Sequence, residues 1–170
     1  MNESLQRLNS LPQGEAESEF LKCCGSTIWA RRMAEERPFR DLQDLLEKSD
    51  AEWWSLDEED WLEAFSRHPQ IGEQESARAQ AAQAHEWSEK EQEGARSADV
   101  ETRRSLMDLN REYREKFGHI YIICATGKSA DEMLARLRER LANDPETELR
   151  NAAEEQRRIT HLRLGKLLET

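Results

Sequence analysis

Two polar clusters in this chain of 170 residues combine side chains that could do chemistry: His68-Pro69-Gln70-Ile71-Gly72 and Trp87-Ser88-Glu89-Lys90-Glu91-Gln92-Glu93-Gly94. The first places an imidazole where a proline must end a helix. The second places Ser88, Glu91 and Gln92 within about one helical turn. An imidazole exchanges protons near neutral pH, a carboxylate orients or relays them, and Ser and Gln side chains fix a polar ligand. Together they describe a small-molecule site. Taken alone, a His-Pro pair is also an ordinary helix terminus, and a short charged run is also an ordinary solvated helix face.

Helices must carry these clusters. A short opening segment through Leu8 precedes helical patterns over Gly14 to Cys24 and Ser26 to Glu36, the latter stopping before Pro38. Asp41 to Trp54 continues with Leu42, Leu45 and Leu46 on one apolar face, and Ser55 with Glu58 suggests a capping box for a helix carrying Trp61, Leu62 and Phe65. Pro69 ends that helix near His68. The Ala- and Gln-rich stretch from Glu73 to Ala84 suits either a helix or a flexible spacer, and the Trp87 cluster suits a helix that stops before Gly94. Asp99 to Phe117 carries Val100, Leu106, Leu109 and Tyr113, and Gly118 interrupts it. The apolar run Ile120 to Cys124 is too short to separate a strand from buried irregular chain. Ser129 and Glu132 cap a helix through Leu141, and Asp144-Pro145 starts the last one, with Leu149, Ala153, Gln156, Thr160, Leu164 and Leu168 near one face. The expected class is all-α: a compact single-domain helical bundle over residues 1–170 with one short irregular or extended segment lining the site.

Composition narrows the function classes. Asp and Glu number 36 against 25 Lys and Arg, a formal charge of -11, which disfavours a nucleic-acid surface while leaving room for a local anion pocket. Cys23 and Cys24 are adjacent and Cys124 is distant, which suits reduced, structural cysteines in a cytoplasmic protein better than a disulfide framework. No apolar stretch long enough for a membrane and no basic, hydrophobic leader is evident. The histidines at 68, 85, 119 and 161 show no metal-ligand spacing, which favours a metal-independent reaction, and neither a Walker loop nor a dinucleotide fingerprint occurs to support phosphate transfer or nicotinamide chemistry.

Ordered motifs across the chain carry a family resemblance. Phe20-Leu21-Lys22-Cys23-Cys24-Gly25-Ser26 with Trp29 and Met33, then Trp61 through His68-Pro69-Gln70-Ile71-Gly72, the Ser88 to Gln92 segment, Phe117-Gly118-His119 through Ala125, and Arg163-Leu164 together resemble the 2-oxo-4-hydroxy-4-carboxy-5-ureidoimidazoline (OHCU) decarboxylases. Glu93 adds a carboxylate beside the family's Glu-Gln pair. The resemblance implies a mainly helical, cofactor-independent homodimer that removes the carboxylate of a small anionic ureido-imidazoline and forms S-allantoin in urate breakdown. It implies His68 as the principal catalytic group, and the carboxylate chemistry of Glu91 suits it to orient the imidazole or complete a proton relay. Pro69, Ser88, Glu89, Lys90, Glu91 and Gln92 would contact substrate, Tyr121, Ile122, Ile123, Cys124 and Ala125 would supply backbone contacts and an apolar wall, and Arg163 would hold an anionic group. A noncatalytic helical scaffold is the competing reading; there, substitution of His68 would change association or stability and no chemistry.

Overall fold

A computed structural model of the chain describes residues 2–69, 86, 87, 90, 91 and 99–169. Among them every regular element is a helix: α1 (Glu3–Ser10), α2 (Gln13–Cys23), α3 (Thr27–Glu35), α4 (Leu42–Trp54), α5 (Glu58–Ser66), α6 (Val100–Phe117), α7 (Ala130–Leu141) and α8 (Pro145–Leu167). Glu86, Trp87, Lys90 and Glu91 are also helical. The stretch Glu73 to Ala84 lies outside the described residues. None of the described helices is long and apolar enough to cross a membrane.

Local chemistry sets the boundaries. Side-chain oxygens of Asn2, Ser26, Asp41, Asp99 and Ser129 accept from backbone N–H groups in the first turns of α1, α3, α4, α6 and α7, satisfying donors that the helices cannot pair themselves. Gly118 ends α6 at φ 80°, a left-handed conformation that glycine adopts without a Cβ clash. Ser55 departs from expectation: it closes α4, with its hydroxyl donating to the Glu52 carbonyl, while the carbonyl of Asp57 accepts the first helical bond of α5 from Trp61. The capping box at Ser55 and Glu58 is therefore absent. Two apolar residues also sit further out than periodicity suggested. Leu42 and Val100 occupy first turns, where a helix face is least covered, and both are exposed.

The chain divides into two compact units, residues 1–64 with 157–170 and residues 65–156. In the first, α2 packs on α3 and α3 on α4. Its core holds Phe20 edge-on to Trp29 and Phe39 at 5.8 and 6.0 Å between ring centroids, with Leu5, Leu8, Met33, Leu45, Leu164 and Leu167 buried as well. The Trp29 indole is anchored by donation to the Ser49 carbonyl at 3.3 Å, so its burial leaves no orphaned donor. In the second unit, α6 packs against α7. Leu106, Tyr113, Tyr121, Ile123, Ala125, Met133, Leu134 and Leu137 form its apolar cluster.

Candidate active site

The candidate wall segment in the second unit is backbone that is not helical. Residues 120–125 belong to no helix or strand, yet Tyr121 through Ala125 are all buried. Tyr121, Ile123 and Ala125 enter the cluster formed with α6 and α7, the alternation of an extended chain. Such a chain cannot satisfy its own polar backbone, and side chains do so instead. His119 Nδ1 donates to the Ile120 carbonyl at 3.0 Å, and Lys128 Nζ donates to the Cys124 carbonyl at 2.8 Å. Arg140 donates to the Ile122 carbonyl.

Arg140 is part of a larger buried network that sequence reading did not single out. Its Nε donates to Glu148 Oε1, which also accepts from the Tyr113 hydroxyl at 2.7 Å. The second oxygen of Glu148 accepts from Asn143 and Asn151 at 3.1 and 3.2 Å. The guanidinium lies over the Tyr121 ring at 4.8 Å, and the Tyr121 hydroxyl donates to the Met133 carbonyl at 3.2 Å. Glu148 is wholly buried while the neighbouring Leu149 is only half-buried, an inversion of the apolar pattern expected for α8. A lone buried carboxylate would be costly, but one salt bridge and three hydrogen bonds satisfy both oxygens. Burial raises the ionisation range of the Tyr113 and Tyr121 phenols well above that of exposed tyrosine, and Arg140 opposes that rise at both.

His68 lies just beyond α5, where its backbone N–H donates to the Phe65 carbonyl at 3.2 Å and buried Pro69 follows. Its ring is half-buried, and Nε2 meets Gln156 Oε1 at 2.6 Å. Gln156 is fully buried in α8. Helical periodicity puts it on an apolar face and indicates no role for it; 88 positions separate it from His68, so no local pattern could have paired them. The Phe65 ring beside this turn contacts the His119 ring at 5.4 Å, which in turn meets Tyr113 at 5.5 Å and Phe117 at 6.3 Å.

Of the Trp87 cluster, Trp87 and Glu91 are buried, while exposed Lys90 approaches the Glu86 carboxylate at 4.0 Å. Ser88, Glu89 and Gln92 lie outside the described residues, as do Gln70, Ile71 and Gly72. Burial raises the ionisation range of the Cys124 thiol; Lys128 works against that rise, and Glu155 and Glu91 add to it. Among the described residues no group of three or more His, Cys, Asp or Glu is gathered as metal ligands.

Arg163 belongs to the first unit. It is buried, not a surface arginine, and its Nη1 donates to the Lys22 carbonyl in the last turn of α2 at 3.3 Å. That is where exposed carbonyl dipoles favour a cation. Cys23 and Cys24 follow directly; burial pushes both thiols up, Cys24 to about 11, and the Arg163 charge acts against that rise.

Comparison with known proteins gives this arrangement relatives. The OHCU decarboxylase family model matches residues 9–165. A uric acid degradation bifunctional protein of Arabidopsis thaliana is 37% identical over 89% of this chain, and the aligned region is 47% of that protein; the chain thus spans about half the length of that relative. A mouse 2-oxo-4-hydroxy-4-carboxy-5-ureidoimidazoline decarboxylase is 30% identical over 95% of this chain and 91% of its own length. A crystal structure of an OHCU decarboxylase in the presence of (S)-allantoin matches with a TM-score of 0.77 and 36% identity, covering 90% of this chain and 99% of the other.

Proposed function

This chain belongs to the OHCU decarboxylase family, and from that membership we propose that it catalyses loss of carbon dioxide from 2-oxo-4-hydroxy-4-carboxy-5-ureidoimidazoline to give S-allantoin, as a step of urate catabolism. The observation that carries the reading is the match over residues 9–165, which includes the turn bearing His68 and the segment 120–125. Because the match runs through both compact units, we treat residues 1–170 as one functional domain.

In the reaction the bond between the ring and its carboxylate breaks, the electron pair stays on the ring, carbon dioxide departs, and one proton is added to yield allantoin. Donors aimed at the ring would stabilise the charge as it develops, and exclusion of water would strengthen them. His68 is assigned the proton exchange, and Glu91 the orientation of the imidazole or a relay to it. Pro69, Ser88, Glu89, Lys90 and Gln92 would contact the substrate, Tyr121 through Ala125 would form one wall, and Arg163 would hold an anionic group. Burial of Pro69, Glu91, Arg163 and the whole 121–125 segment supports these assignments, since water-poor surroundings are what such contacts need. A single S product requires that the proton reach one face of the ring only. The reading also includes a cytoplasmic homodimer acting on a small molecule, without nucleic acid, membrane or cofactor. The net charge of -11 and three buried, unbridged cysteines accord with it.

The test is direct. Purified protein, treated with chelator, should consume freshly generated substrate faster than it decays alone and give an excess of S-allantoin. His68→Asn should lower turnover by about 10²–10⁴-fold with little change in melting temperature, and Glu91→Gln should lower it less. Folded protein that leaves the decay rate unchanged and the product racemic would refute the assignment. A His68→Asn variant that alters association or stability alone would favour the scaffold reading.

A further inference from the structure

We propose that Gln156 is a positioning residue that holds the His68 imidazole in its Nε2–H tautomer, so that Nδ1 is the nitrogen that exchanges a proton during the reaction. The link to turnover rests on the decarboxylase reading of the same site; the tautomer itself does not.

The geometry is a 2.6 Å contact between His68 Nε2 and Gln156 Oε1. A carboxamide oxygen only accepts, so the proton of this bond sits on Nε2 whether the ring is neutral or charged. In the neutral ring the lone pair then resides on Nδ1, and a proton taken up by the ring arrives there. Gln156 is suited to enforcing this choice. It is fully buried in α8, on a helix face where Ala152, Ala153, Ile159 and Thr160 are buried too. On the other side, the His68 N–H bond to Phe65 and buried Pro69 fix the backbone from which the ring projects. An amide partner orients the ring while adding no charge to it, which leaves the Glu91 carboxylate the relay rather than the orienting role.

Ring-nitrogen NMR on ¹⁵N-labelled protein at alkaline pH, with the His68 signals assigned by their loss in His68→Asn, reads the tautomer directly. The expected result is an Nε2–H ring in the native protein, a mixture of tautomers in Gln156→Met, and retention of the Nε2–H form in Gln156→Glu, which keeps an acceptor. In parallel, Gln156→Met should lower kcat at least about tenfold while KM changes little, since a misoriented group costs the chemical step more than binding. Gln156→Glu should recover part of that loss. An Nδ1–H ring in the native protein overturns the proposal, and so does a Gln156→Met variant with native tautomer and native kcat. Should Gln156→Met not fold, the native spectrum and Gln156→Glu still decide. An Nε2–H ring held by Gln156 in a protein that does not turn over substrate would refute the decarboxylase reading and leave the tautomer assignment standing.

Discussion

The two compact units use polar side chains differently. In the first, polar side chains close the ends of elements. Arg37 donates to the carbonyls of Ala34, Leu8 and Leu11, Asn9 exchanges hydrogen bonds with the backbone of Phe39, Asn2 reaches the Leu168 carbonyl, and Arg163 reaches that of Lys22. In the second, Arg140, Glu148, Tyr113, Asn143 and Asn151 meet in one network that holds a non-helical segment by the Ile122 carbonyl. The difference follows from the backbone each must satisfy. A helix pairs its own interior and needs help only at its ends, whereas 120–125 needs donors along its length. Where the backbone is buried without a helix, the fold supports its polar groups with charged side chains.

This contrast predicts a ranking. Arg140→Met should be the most damaging, costing about 3–5 kcal/mol, because it leaves Glu148 buried without its cation and Ile122 without a donor. Urea denaturation would measure it, and a loss no greater than that at an exposed pair would mean that the network adds little. Arg163→Ala should cost about 1.5–3 kcal/mol, the value of a hydrogen bond from a charged group, since α2 keeps the rest of its packing. The same variant should bind (S)-allantoin more weakly by calorimetry. Unchanged affinity would leave Arg163 as a helix-end residue like Arg37 and remove it from the substrate contacts. Least affected should be Asp50→Asn. Asp50 accepts from His161 at 2.5 Å and from Arg157 at 3.3 Å, but all three side chains are partly solvated, so the change should stay within about 1 kcal/mol. A larger loss there would erase the distinction between a network of buried charges and a pairing at the rim.

Much of this architecture is legible in the chain because its signals are local. Ser26, Asp41, Asp99 and Ser129 announce helix starts, and Gly118 and Pro69 announce stops, each through the bonds of its own turn. Ser55 misled because a hydroxyl between two helices can serve either one, and closing α4 prevailed. Leu42 and Val100 misled because periodicity gives a face without saying whether anything covers its first turn. The His-Pro motif marked the turn that follows α5, where His68 lies, and Pro69, Glu91 and 121–125 are buried. Gln156, Arg140 and Glu148 were not. A glutamine or a charged residue in a helix ordinarily faces solvent, and only contacts distant in sequence turn these three inward.

The segment Ile120-Tyr121-Ile122-Ile123-Cys124 has one more consequence, for solubility. Apolar, β-branched and uncharged, it has the makeup of a stretch that pairs with copies of itself into fibrils. In the folded chain the carbonyls of Ile120, Ile122 and Cys124 are taken by His119, Arg140 and Lys128. Alternate carbonyls of an extended chain share one edge, so the edge along which another strand would add is already occupied by side chains. Donation to those three carbonyls therefore also closes that edge to a second copy of the segment.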